Sequence, residues 1–382
     1  MVDRREALKL IGIGSVALAA GAGLGYTLKP TTEAVVPADE GGESPVERGV
    51  LKAGWVYVGP VGDYGWTYAH DLGRRYVEER FDFLETVYVE EVAEDEAMPV
   101  ITQLINEGAD VIFTTSFGYM DDTIRAGEKY PDKIFMHASG FKRRENVGTY
   151  FVRLYQPYYL NGLMAGAVTE TNKLGYVAAH PIPEVVRHIN AFHLGAKEVN
   201  PDVETYVIWI NAWFDPEKAR SAAQTLIDQY NCDVLAFTED TPTVLTVAEE
   251  AGVYSFSHYN DMKKYGPNAE LSGQIANWGV IYEDVLMRVY LGVWESKDYW
   301  WGFYEGAVDI TPMSNVIPKD IQDLVNERIA LMKTLSFEPF RGPLIDRKGR
   351  LRAREGEFLT RDDLWNMMWF LEGVKGDLPG EE

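Results

Sequence analysis

From residue 51 onward, short runs of β-branched and aromatic residues alternate with longer stretches whose apolar positions recur every three or four residues. The short runs predict strands over 53–59, 86–92, 110–115, 134–138 and 148–152, and the longer stretches predict helices over 68–80, 98–107 and 121–129. After Gln156 and Pro157 the pattern begins again, with helices over 158–171, 184–199, 216–230 and 243–251. Between those helices, strands are expected over 174–179, 205–210, 233–237 and 253–257. Strands separated by amphipathic helices build parallel sheets covered on their faces, so the fold class is α/β. The restart implies two successive lobes.

In open parallel sheets, ligands sit beyond the carboxyl ends of the strands, where the chain leaves for a helix. The loops at those ends are 59–67, 116–121, 211–215, 238–241 and 258–262. They are unusually aromatic and acidic, carrying Tyr64, Trp66, Phe117, Tyr119, Trp213 and Phe214 beside Asp63, Glu239, Asp240 and Asp261. Large rings offer flat, rigid faces, and stacking a base on one is worth about 1–3 kcal/mol. Two faces therefore supply much of the roughly −8.2 kcal/mol of micromolar binding. The competing role for each ring is to plug the seam between loop and helix. The acids can accept hydrogen bonds from an exocyclic amine or a ring N–H, and Asp63 is read as such a group. For Asp240 and Asp261, capping of a following helix or turn is the equal alternative.

Composition narrows the field. The 382 residues are 46% hydrophobic and 13% aromatic, enough for two cores. A formal net charge of −23 with no basic stripe argues against nucleic acid as a partner. Cys232 is the sole cysteine, so an intramolecular disulfide and a lipid-bearing cysteine near the N-terminus are both ruled out. Arg4 and Arg5 precede an uncharged, mostly apolar run over 10–28, the pattern of a twin-arginine export signal. That run approaches the roughly 18 apolar residues that span a bilayer, so cleavage and retention as an anchor are both open. Segment 1–30 is thus the signal or anchor, and 31–49, rich in Pro, Gly, Glu and Thr, is a flexible tether.

The loops and their flanks carry a resemblance to a known family. VGDYGWTYAHDLGRRY from Val61, LINEGADVIFTTSFGYMD from Leu104, WFDPEKARSAAQTLIDQYNCDVLAFTED from Trp213, HYNDM from His258 and MMWFLEGVKGDLP from Met367 are similar to the basic membrane protein family of ABC-importer binding proteins. The resemblance implies a two-lobed clamp of the type I periplasmic-binding-protein kind with three hinge crossovers, and a purine ligand. Lobe I would hold 50–153 plus 259–303, lobe II 154–258 plus 304–345, and the tail 346–382 would lie across both. The family's first loop has an Asn-Asp pair and a later Phe-Asn pair. Asp63 matches the acid, Trp66 the aromatic and Thr67 the following position, while Gly62 departs from the first Asn. Trp213, two residues before Asp215, matches the family's second stacking ring. The family's ribose-gripping acid falls on Tyr259, and its lysine is absent where Ala276, Asn277 and Trp278 stand. Those departures favour a free base such as adenine over a nucleoside. The expected site is therefore Asp63, Tyr64, Trp66, Thr67, Ser116, Phe117, Trp213, Phe214, Glu239, Asp240, Tyr259, Asp261, Asn277 and Trp278.

Catalysis is not expected, since there is no G-x-S-x-G elbow, no phosphate loop and no H-E-x-x-H. His180, His188 and His193 are read as a helix-surface set with no metal role, because the last two are five apart and leave one helical face. The run Tyr299, Trp300, Trp301, Phe303 and Tyr304 is read as packing near the third crossover. The expectation is thus an exported, monomeric clamp that presents its purine to an ABC permease, without cofactor or metal. Two rivals remain: a sensor with the same clamp, and a purine-processing enzyme.

Overall fold

The computed structural model describes residues 49–381; the expected export signal and most of the tether lie outside them. Six parallel strands make the first sheet, in the order β11-β5-β4-β3-β1-β2. They are β1 (Leu51–Val56), β2 (Leu84–Val89), β3 (Val111–Thr114), β4 (Ile134–Ala138), β5 (Val147–Val152) and, from far along the chain, β11 (Asp298–Trp301). Helices α1 (Trp66–Arg80), α2 (Ala97–Asn106) and α3 (Met120–Lys129) connect the early strands. Trp55 on β1 stacks on Phe113 of β3 at 4.7 Å, part of the aromatic layer beneath α1. The first two strands end about three residues before their predicted limits, at Val56 and Val89, and the loop after β1 brings Val58 to the cleft.

The second sheet has β6 (Lys173–Ala178), β7 (Glu204–Trp209) and β8 (Val234–Thr238) in parallel, edged by the short β15 (Val374–Lys375). Between them run α4 (Tyr155–Val168), α5 (Pro183–Val199), α6 (Pro216–Asp228) and α7 (Thr243–Ala251). Pro183 and Pro216 each sit at a helix start, where a missing N–H costs nothing. Helices α4 and α5 approach so closely that a Cβ on Gly162 would lie 2.0 Å from Phe192 O, and one on Gly195 2.0 Å from Tyr159 O.

A parallel bridge from Val234 to Tyr254 carries this sheet on to β9 (Ser255–Ser257), β10 (Glu270–Ala276) and β12 (Val308–Ile310). Strand β10 pairs with β9 and β12, so residues 259–276 run with the second sheet. The return to the first lobe therefore falls at residue 277, where α8 (Trp278–Leu291) begins, instead of at 259. No strand is predicted over 270–276, so the sequence had nothing to place in either sheet there.

The chain passes between lobes three times, after β5, after β10 and after β11. The crossings are tied together, Arg153 N donating to Trp301 O at 2.7 Å and Asn277 N to Ala307 O at 2.9 Å. The aromatic run after Lys297 packs at this junction, with Tyr299 and Phe303 buried. Beyond α9 (Lys319–Met332) come a small hairpin of β13 (Leu344–Ile345) and β14 (Leu351–Ala353), then α10 (Arg361–Trp365). This last stretch touches both lobes: Asn190 of α5 bonds Trp369 O at 2.8 Å, and Arg361 pairs with Asp298 of β11.

Candidate functional site

The carboxyl ends of both sheets face each other across a narrow cleft with about 50 Å³ of internal space. Lobe I contributes Val58, Trp66, Thr115, Ser116, Phe117 and Ser139; lobe II contributes Ile182, Glu184, Trp213, Asp240 and Tyr259. Two of its wall residues, Ser139 and Tyr259, have φ of 60° and 64°, and the adjoining Tyr64 and Asn211 have 60° and 51°. Non-glycine residues reach this region only where surrounding structure holds them, and such strain gathers at binding sites.

Trp66 is held by contacts within the protein. Its indole N–H donates to the Thr115 carbonyl, and its ring meets Trp278 edge-on at 5.3 Å and Tyr259 at 5.6 Å. Trp213, on the loop after β7, leans against His180 at 5.1 Å. The lobes are shut on each other: Trp66 N donates to Asp240 Oδ1 at 3.3 Å, and the Asn260 amide donates to Tyr64 O. Gly65 is the only residue type that fits here, since a Cβ on it would come 2.6 Å from the Asp240 backbone.

Six of the fourteen expected residues meet in the cleft: Trp66, Ser116, Phe117, Trp213, Asp240 and Tyr259. The others have different partners. Asp63 accepts from Gly65 N at 2.8 Å, Thr67 N at 3.0 Å and Tyr68 N at 3.0 Å, so its carboxylate opens helix α1 instead of facing the cleft. Thr67 Oγ1 accepts from Gly59 N at 3.2 Å, and Tyr64 packs against Tyr265 and under Lys264. Glu239 is buried, both carboxylate oxygens bound to Thr241, and Asp261 caps Lys263 N at 2.9 Å. Phe214 points to solvent, Asn277 donates to Gly306 O, and Trp278 lies under Trp66. The two alternatives left open for Asp240 and Asp261 thus divide, one to the cleft and one to a turn.

Glu184 and Ser139 escaped the sequence reading. Both follow strand ends whose loops, after β6 and β4, lack the aromatic density that drew attention elsewhere. The signal was an acid in the first turn of a helix leaving a strand's carboxyl end. Burial pushes Glu184 up to about 7, against the pull of Arg187 and the Ser139 hydroxyl. Burial foremost, then the nearby Asp63 charge, holds Asp240 well above the usual carboxylate range. Both carboxyls of the cleft therefore hold a proton more readily than a solvated acid, and a protonated carboxyl donates a hydrogen bond as well as accepting one.

The histidines do not form a surface set. His188 and His193 are fully buried, His193 bonded to Thr205 Oγ1 and Glu372 O, both at 2.9 Å, and His188 stacked on Tyr158 at 4.7 Å. Helix α5 is covered by α4 on one side and by the C-terminal stretch on the other, which leaves little of it at the surface. Among the described residues no group of three His, Cys, Asp or Glu side chains could hold a metal, and no helix is long and apolar enough to cross a membrane.

Residues 50–336 match the family described as ABC transporter substrate-binding protein, PnrA-like. A purine-binding protein of Brucella abortus is 40% identical over 331 residues, covering 86% of this chain and 94% of that protein. A Haloferax volcanii protein, TsgA13, named for glucose binding in an ABC transporter, is 37% identical and covers 99% of this chain and 98% of its own. A solute-binding protein of an ABC transporter system from Conexibacter woesei superposes with a TM-score of 0.64 at 18% identity, over 76% of this chain and 98% of that one.

Proposed function

Because this chain belongs to the PnrA-like family of ABC transporter substrate-binding proteins, we propose that the molecule it captures for import is a purine, held flat between Trp66 and Trp213. The family role is extracytoplasmic ligand capture and delivery to a permease, and it involves no turnover of the ligand. One observation carries the purine reading. Two tryptophans from opposite lobes line a single narrow cleft whose remaining polar groups include two carboxyls of raised affinity for protons.

A purine ring edge alternates donors and acceptors, which matches carboxyls that hold a proton and can both donate and accept. A polar group left unpaired in a closed cleft costs about 1–3 kcal/mol, enough to rank one purine over another. Adenine is favoured over adenosine because Tyr259, a bulky ring, stands in the cleft wall at the position of the family's ribose-gripping acid. The 40% identity to a purine-binding protein supports the same class. A sugar would need several free hydroxyl partners, whereas Ser116 Oγ already donates to Glu94 at 2.7 Å. The twin-arginine-like N-terminus supports export, and cell fractionation would show the protein outside the cytoplasm.

The test is calorimetric titration with adenine, adenosine, guanosine and glucose, with mass analysis of each mixture. Adenine should bind most tightly and emerge unchanged. Trp66→Ala and Trp213→Ala should each weaken it by about 5- to 150-fold, the range that loss of one stacked face gives. Glucose binding unaffected by Trp213→Ala, with no purine binding, would overturn the reading.

A further inference from the structure

The cleft continues past Phe117, Ser139, Ile182 and Glu184 into a second cavity of about 1340 Å³, open mouth included. Its walls are the start of α5, the loop after β4, the first residue of β11 with its neighbour Thr149 on β5, and the C-terminal helix α10. Arg187 belongs to this wall and is only 1% exposed. Its guanidinium lies 5.8–5.9 Å from the rings of Tyr155, Trp300 and Trp365. Nη1 donates to Leu364 O at 2.7 Å, while Nε finds no acceptor. Among the described residues Arg187 makes no ion pair; Glu184, three residues earlier, acts on it through space.

A desolvated guanidinium without a contacting anion is costly, and the aromatic rings offset that cost only in part. Two more guanidiniums border the cavity at its exposed rim, Arg143 and Arg361. The opposing charges are Asp298, which is already paired with Arg361 and accepts from Thr149 Oγ1 at 2.8 Å, together with Asp362 and Glu184. Arg143 has no carboxylate partner among the described residues. The planar guanidinium fork matches carboxylate and phosphoryl oxygens, which can take two hydrogen bonds at once.

We propose that this annex binds an oxyanion, with Arg187 in its wall and Arg143 at its rim, either as a free anion or as the acidic tail of a ligand whose ring occupies the cleft. The tethered form rests on the cleft reading above; the free form does not. Both sources share the same chemistry, a phosphoryl or carboxylate group received by buried and rim guanidiniums.

The experiment is titration of the purified protein with orthophosphate, adenine, adenosine and adenosine monophosphate, read by calorimetry and by the phosphorus NMR linewidth of orthophosphate. A free anion is indicated by saturable broadening of orthophosphate, and a tethered one by adenosine monophosphate binding at least about tenfold tighter than adenosine. In either case Arg143→Ala should weaken the anion about tenfold while leaving adenine unchanged, and Arg187→Gln should abolish it. Should Arg187→Gln fail to fold, the Arg143 variant still decides. Adenine binding with no response to either anion overturns the annex and leaves the cleft reading intact. Orthophosphate binding without adenine binding leaves the annex and overturns the purine reading.

Discussion

Glu184 shows how one position acquires its character from what surrounds it. As a first-turn acid on α5 it would ordinarily be favoured in ionised form by the helix dipole. Here it meets the Ser139 hydroxyl, the Arg187 guanidinium and the nearby Asp240 and Tyr259, and burial prevails, lifting it from 4.5 to about 7. A carboxyl whose folded value is raised favours the native state when protonated. Its contribution is fully present below about 4.5 and is lost as pH rises through about 7. Thermal unfolding should therefore occur at lower temperature at pH about 8 than at about 5, and Glu184→Gln should shrink that drop by about 2–4 °C. Glu270 and Glu338, also raised to about 7 by burial, keep the remaining slope in the variant. A drop of equal size in both proteins would show that Glu184 does not titrate in this range. The residue types at the cleft were readable where they were conspicuous, as with Trp66 and Trp213. They were unreadable where one ordinary carboxyl or hydroxyl was drawn in by a neighbouring element.

At the scale of elements, the C-terminal helix α10 has the most consequence for its size. Five residues cannot hold a helix unaided, and this one depends on a capping box. Thr360 accepts from Asp363 N at 3.2 Å while the Asp363 carboxylate accepts from Thr360 N at 2.8 Å. It also seats Trp365 beside Trp300 at 6.1 Å and brings Arg361 to Asp298. Thr360→Ala should cost about 1 kcal/mol locally, which predicts about fivefold faster amide exchange over residues 361–365 with β1 to β5 unchanged. Uniform acceleration across both sheets would mean that the tail is part of the global folding unit. Helices α1 to α7 and the predicted strands were placed to within about three residues by periodicity, because their buried faces repeat at the element's own spacing. Strand β10 is buried along nearly its whole length and is not among the predicted strands, and only its pairing with β9 and β12 assigns it to the second sheet.

Over the whole molecule, the decisive feature is contact between lobes at Gly65. A methyl group there would press on the Asp240 backbone and separate Trp66 N from Asp240 Oδ1. Each lobe would keep its own core, so Gly65→Ala should fold with nearly native thermal stability but weaken adenine at least about tenfold, since a ligand stabilises closure only through contacts made in the closed form. Small-angle scattering should show a larger radius of gyration for this variant. Native affinity in Gly65→Ala would mean that binding does not require the closed contact.

The sequence by itself determined the α/β class, the two successive lobes and the choice of Trp66 and Trp213, which line one cleft at the carboxyl edge of the sheets. Those features follow from local periodicity, turn chemistry and residue type, which are properties of short stretches of chain. Tertiary structure alone decided the second crossing at residue 277, the diversion of Asp63, Glu239 and Asp261 to caps and turns, and the burial of His188, His193 and Arg187. Each of these depends on which element arrives from far along the chain, such as the C-terminal stretch that covers α5. A carboxylate or a guanidinium takes its charge state and its partners from that arrival, and no short stretch of sequence contains it.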